Sequence, residues 1–441
     1  MGGRLLRATV GLFVVFATAL ALVVPPFEMP DEPAHVAYVS FVGTRLALPN
    51  QGDPAARVEG QGHQAPLYYV LASTLVWLAT GDGRLEVVRA ENVAHAWHGG
   101  ARYDVPLYRS DDTNRFPSPR DRLAFYGLRL VSVALGAATV ACVGLAAGLM
   151  LGAEAGAVAA LLVATLPQFA AVAAAVTADD LAQLLAALFA WQLLVGLSRG
   201  GDPRAGTRAG VFLGLALLTK KTALCLVPGV PLALAGGVVL GRLDGRAALR
   251  LGLRVLAIGL VVVAPWLARN QLLYGDPLGS AMERATLHAL VDEKAFGDPW
   301  WWTTFAPWTA ASFVGVLGWL NLWLPRPVYW GYAGLALVAV VGLALRAARP
   351  RREDVALAVA AGFVLLSVAG VVHLNRTFPQ PQGRYLFVVM PFLATLAAAG
   401  LVEVGRRVRL DATALWCLLL GPLLVVDAVT VWRVVRFFAP A

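Results

Sequence analysis

What most constrains this chain is a recurring run of roughly 20 apolar residues, most of them separated by short polar or basic turns. A helix rises about 1.5 Å per residue, so roughly 20 such residues cross the hydrocarbon of a bilayer. About eleven runs reach or approach that length, at 5–24, 126–150, 155–176, 180–197, 208–219, 222–241, 248–268, 327–347, 354–373, 385–405 and 412–432, of which the fifth is short. With 59% hydrophobic and only 14% charged residues and a mean hydropathy of +0.68, the chain cannot be a soluble globular domain. The expected fold class is an all-α polytopic membrane protein, with residues 1–441 forming one integral-membrane domain.

Arginine placement orients it. Arg4 and Arg7 precede the first run, and putting them in the cytoplasm places "SRGGDPRAGTR", "GRLDGRAALRLGLR", "RAARPRRED" and "EVGRRVRLD" on the same side, as the positive-inside rule asks. The net charge of +9 is therefore a matter of topology, and no nucleic acid is implied. "ATALA" near the end of the first run would also suit a cleaved leader, but the length of the run and Pro25-Pro26 just beyond it favour a retained span. Two large outer segments remain, 25–125 and 269–326. All six histidines fall on that outer side: His35, His63, His95 and His98 in the first segment, His288 in the second and His373 at a span end. Cys142, Cys225 and Cys417 all lie in apolar runs, with no disulfide or metal-ligand spacing.

Directly after the first span comes "PFEMPDEPAHVAYVSF", which sets Asp31 and Glu32 against the lipid, where an uncompensated carboxylate is costly. The prolines favour a turn and a helix start, with Asp31 suited to capping it and His35 one turn on. A helix over 33–47 has the mixed character of one lying at the interface, and 66–79, after "EGQGHQAP", is too short for a confident span and reads as a second. His63, Gln64 and Tyr68 face the same zone and are candidate substrate contacts, although tyrosines here also serve as interface anchors. "VTADDLAQLL" places Asp179 and Asp180 at the outer end of the fourth span, as caps or as site residues. Lys220, Lys221, Arg269 and Arg384 sit at other outer span ends, the lysines against the topological bias.

Acids and strong anion binders on one face suit the transfer of a sugar from a lipid phosphate. The departing phosphate is a weak base that needs positive charge more than a proton, so one carboxylate, Asp31 or Glu32, suffices to take the proton of the incoming hydroxyl. Lys220, Lys221, Arg269 and Arg384 are then candidate phosphate binders. A lipid transporter or flippase would also combine many spans with a few charges, and a non-catalytic envelope assembly subunit would use the outer loops for docking alone. Neither accounts for charges gathered at one face.

"PDEPAH", "HQAPLYY", "LRLVSVALG", "TADDLA", "GLALLTKKTAL", "WLARNQLLYGDPLG" and "QGRYLFVVMPFLA" occur in an order that resembles the GT-C superfamily of membrane glycosyltransferases, particularly bacterial relatives of protein O-mannosyltransferases and aminoarabinose transferases. The resemblance runs through most of the chain. It implies an inverting transfer from a polyprenyl-phosphate sugar at the extracytoplasmic face of the cell (inner or plasma) membrane, with Asp31 as base and Glu32 its neighbour or substitute. The acceptor, a glycan, lipid or protein, does not follow. Nor does a metal: some members use a divalent ion and others none, and Asp31, Glu32, His35 and His63 offer donors for one. Two departures stand out. Ala65-Pro66 replaces the double proline usual before Leu-Tyr-Tyr, and no soluble sugar-binding domain is recognised at the C-terminus.

Overall fold

The computed structural model describes residues 1–96, 102–109, 115–349 and 351–439, so His98 lies outside the described residues. Helices dominate: α1 (Gly2–Val23), α2 (Glu32–Arg45), α3 (Leu67–Thr80), α4 (Pro119–Leu151), α5 (Ala153–Ala164), α6 (Pro167–Ala173), α7 (Asp179–Ser198), α8 (Pro203–Leu217), α9 (Gly229–Val239), α10 (Gly245–Tyr274), α11 (Ser280–Thr286), α12 (Ala306–Val314), α13 (Arg326–Ala347), α14 (Asp354–Asn375), α15 (Met390–Arg407) and α16 (Ala412–Phe438). The one sheet among the described residues is a two-residue antiparallel pair, Val316–Leu317 with Leu322–Trp323. Among the described residues, nine helical segments are long and apolar enough to cross a membrane, and α5 with α6 makes a tenth if that bent pair is one span. The fifth expected span corresponds to α8, which has only 15 residues.

Helix starts follow local chemistry. The side chains of Ser118, Asp202, Asp244 and Asp411 accept from the first-turn N–H groups of α4, α8, α10 and α16, which have no partner inside the helix. The expected span over 155–176 is broken instead: Leu166 is extended before Pro167, and α6 leaves α5 at 72°. Proline disfavours helical geometry in the residue before it, which accounts for the break. Small residues let the helices close. α13 and α15 meet at Gly342 and Gly400, where a Cβ on either would lie 2.0 Å or less from backbone of the other helix.

Three departures from helix bring polar groups to one end of the bundle. After α6 the chain unwinds through residues 174–178 before α7 begins. After α8, Lys220 is extended (φ −153°, ψ 138°) ahead of a short 3-10 turn over Lys221–Leu226. Before α15, a second 3-10 turn over Gly383–Val389 carries Arg384. α8 runs alongside α10 in the same direction, Gly206 against Leu251 and Gly214 against Val262, but α10 continues to Tyr274.

Candidate active site

Asp31 occupies the N-cap position of α2 without capping it. Its backbone is left-handed (φ 65°), a conformation Asp tolerates better than most residues, and its side chain makes no bond to the helix. The expectation of a side-chain cap is corrected: the carboxylate turns to Arg384, whose Nη2 donates to Asp31 Oδ2 at 2.5 Å. Asp31 is about one-third exposed (35%), whereas Arg384 is nearly buried (6%). Burial raises the Asp31 carboxyl pKa, but the neighbouring cations, Arg384 before Lys220, outweigh it and hold the group below the usual carboxylate range.

Asp179 collects the cations behind it. Its Oδ1 accepts from Lys220 Nζ at 2.5 Å and its Oδ2 lies 3.7 Å from Arg384 Nη1. The Thr177 hydroxyl donates to Asp179 Oδ2 and stands 3.4 Å from His35 Nε2, while His35 Nδ1 meets the Tyr69 hydroxyl at 2.9 Å. Desolvation pushes the His35 pKa down to about 3, so the imidazole is neutral here. Arg384 Nε has no partner among the described residues, and Asp179 engages one of the three Lys220 donors. Both cations thus keep hydrogen-bonding capacity for an anion.

Glu32 is placed differently from its neighbour Asp31: it is fully buried and its oxygens are already engaged. Its carboxylate accepts from Arg129 Nε (2.8 Å) and Nη2 (2.7 Å) and from the backbone N–H groups of Phe27 and Val176. Arg129 spends its remaining donors on the carbonyls of Ala21, Val24 and Pro25 at the end of α1. This fork ties α1, α2, α4 and the unwound segment before α7 together beside Asp31. Sequence reasoning missed Arg129, and its signal was an arginine inside an apolar run.

Other expected site residues vary in how they stand to this cluster. Asp179 and Asp180 lie in the first turn of α7, whose N-cap is Ala178, so neither caps it. Asp180 is fully buried beside Ser132 and Tyr68 and lies near enough to Asp179 and Lys220 to feel both charges, and the Tyr68 ring, buried with it, is 6.4 Å from that of His35. Arg269 and Lys221 are not among the cations on Asp31 and Asp179: Arg269 Nη2 donates to the Pro49 carbonyl at 2.6 Å with its guanidinium over Trp266, and the Lys221 ammonium meets Glu283 at 2.6 Å. His63 and Gln64 line a second cavity with Lys221. Asp31, Glu32, His35 and His63 therefore do not converge as ligands, and no cluster of three or more His, Cys, Asp or Glu among the described residues is arranged to hold a metal ion.

Above the site, Glu28 is fully buried and accepts from the N–H groups of Leu107 and Tyr108, with Arg89 3.9 Å away. It fastens the far part of the first outer segment to the turn that carries Asp31.

Residues 124–268 match the family model for dolichyl-phosphate-mannose-protein mannosyltransferase. No curated protein matches the chain in sequence. Among solved structures, the chain is similar to the apo oligosaccharyltransferase of Archaeoglobus fulgidus, at TM-score 0.60 and 12% identity, covering 98% of this chain and 56% of that one. It is also similar to ArnT from Cupriavidus metallidurans bound to undecaprenyl phosphate, at TM-score 0.54 and 14% identity, covering 97% and 75%. The Archaeoglobus fulgidus enzyme AglB in complex with an inhibitory peptide and a dolichol-phosphate gives TM-score 0.52 and 11% identity, covering 98% and 55%. This chain thus spans little more than half the length of the archaeal enzyme. The fold is the all-α polytopic GT-C architecture.

Proposed function

We propose that the chain is an inverting glycosyltransferase that moves a sugar from a polyprenyl-phosphate donor to a hydroxyl of an extracytoplasmic acceptor. One observation carries this reading: a single partly exposed carboxylate, Asp31, stands beside two buried cations, Arg384 and Lys220, that share Asp179. The match to a mannosyltransferase family model and the likeness to an undecaprenyl-phosphate-bound ArnT support it.

In the reaction the acceptor oxygen bonds to the anomeric carbon on the face opposite the phosphate. The bond from that carbon to the phosphate oxygen breaks, its electron pair leaves on the polyprenyl phosphate, and the acceptor proton passes to Asp31. Arg384 and Lys220 stabilise the charge that develops on the phosphate. Without substrate, Asp31, Asp179, Arg384 and Lys220 balance to zero. A phosphate that draws Arg384 toward itself weakens the interaction holding the Asp31 pKa down, so the base strengthens when the donor is in place. Asp179 orients both cations, and neutral His35 fixes Thr177 against it. No step is routed through a metal.

The test is a purified protein in liposomes given radiolabelled mannosyl-, glucosyl- and aminoarabinosyl-phosphoryl undecaprenol with a periplasmic or cell-wall extract as acceptor. The expected outcome is free undecaprenyl phosphate together with label on an acceptor. Movement of the intact donor across the bilayer, with its glycosyl bond unbroken, would instead support a transporter.

A further inference from the structure

Lys220 and Lys221 are consecutive but serve different surroundings. Lys220 enters the Asp179 cluster, while Lys221 borders a separate cavity of about 100 Å³ between the end of α8, the outer part of α10 and α11. One wall of that cavity is apolar, with Leu217, Leu224, Val263 and the Trp266 indole. The other is polar, and its groups form a chain: Lys221 Nζ lies 2.6 Å from Glu283 Oε2, and Glu283 Oε1 lies 3.5 Å from His63 Nε2. Gln64 completes it.

The charges in this chain are matched, so the cavity is not built for a phosphate. Burial raises the Glu283 carboxyl, but His63 and Lys221 outweigh it and hold its pKa at about 2, so Glu283 stays ionised against the lysine. Glu283 faces Nε2, so Nδ1 is the ring nitrogen left over. The His63 side chain is only 7% exposed, and Nδ1 is buried without a partner among the described residues. A buried polar atom left unpaired is costly, and here it belongs to a residue that lines a cavity.

We propose that this cavity binds a neutral glycosyl ring, with a hydroxyl hydrogen-bonded to His63 Nδ1, others meeting Gln64 and Glu283, and the C–H face of the ring lying on the apolar wall at Trp266. An amphipathic ring suits a site with one apolar and one hydrogen-bonding wall. The proposal rests on the glycosyl-transfer reading and adds the class of group recognised beside it. The ring belongs either to the donor sugar or to a carbohydrate acceptor.

The experiment uses the full-length Asp31→Asn protein in nanodiscs, in which transfer is blocked. Methyl mannoside, glucoside, galactoside and N-acetylglucosaminide are titrated in turn and read by saturation-transfer NMR. At least one glycoside is expected to bind at millimolar concentration, to weaken at least tenfold in His63→Phe and in Trp266→Ala, and to resist displacement by equimolar inorganic phosphate. His63→Phe fills the same space, so the test survives if Trp266→Ala fails to fold. Displacement of the glycoside by mannosyl-phosphoryl undecaprenol assigns the ring to the donor, and retention assigns it to the acceptor. Both outcomes support the site. No binding by any of the four glycosides, binding unchanged by His63→Phe, or displacement by phosphate overturns it. Donor cleavage by the unsubstituted protein is read separately, so loss of the cavity proposal leaves the transferase reading standing and the reverse is equally visible.

Discussion

At the scale of single residues, Asp31 and Glu32 are adjacent and call for different experiments. Asp31→Asn is expected to lower transfer by about 10²- to 10⁴-fold, the usual contribution of general-base assistance, measured as label moved from the polyprenyl-phosphate sugar. Asn tolerates the left-handed backbone at this position, so the unfolding midpoint should stay close to that of the parent. Glu32→Gln is expected to cost about 3–5 kcal/mol of stability, because it leaves Arg129 buried with its charge uncompensated. A lowered unfolding midpoint checks it, and a normal midpoint with dead enzyme would point to Glu32 as a base. His35 gives a pH signature. Its folded pKa, about 3, lies below its unfolded value near 6.5, so the unfolded chain takes up the proton first as pH falls. Stability from this group is fully present above about pH 6.5 and is lost progressively toward pH 3. His35→Asn should therefore flatten the decline of the unfolding midpoint between pH 6.5 and pH 4. The sequence made Asp31 and Arg384 legible, since each is a charge at an outer span end. It could not show that Glu32 and Lys221 were already paired, because Arg129 is 97 residues away and Glu283 is 62.

At the scale of elements, packing between α13 and α15 depends on two glycines. A methyl group at Gly400 would fall 2.0 Å from the Ala339 carbonyl oxygen, which is backbone and cannot swing aside. Gly400→Ala should therefore separate the helices at a cost of about 1–3 kcal/mol or more, whereas Gly421→Ala on α16 meets nothing within 4 Å and should be neutral or slightly favourable. Unfolding midpoints of the two variants, compared side by side, check the pair. Apolar length located nearly every span, and the short helices read over 33–47 and 66–79 correspond to Glu32–Arg45 and Leu67–Thr80. What hydropathy does not encode is direction. The 155–176 run is apolar apart from Thr165 and Gln168, and Pro167 between them marked the 72° break that carries Val176, Thr177 and Asp179 to the site.

At the scale of the whole molecule, the positive-inside pattern predicts that Asp31 and its cations face the extracytoplasmic side. In a cysteine-free background, Arg57→Cys on the exposed outer segment should react with an impermeant maleimide in intact cells, and Arg250→Cys on α10 only after permeabilisation. The opposite pattern would place the site on the cytoplasmic side. The length of α10 bears on what can reach the lysine turn. From Val262, level with Gly214 near the end of α8, α10 runs on to Tyr274, about 18 Å of further helix, so the lysine turn lies at the foot of a wall. Such a wall is expected to act as a steric sieve, passing a hydroxyl on a slender, flexible arm more readily than the same hydroxyl on the broad face of a folded domain. A short peptide or oligosaccharide carrying the acceptor group should therefore outcompete that group embedded in a compact protein, measured by initial rates at equal acceptor concentration.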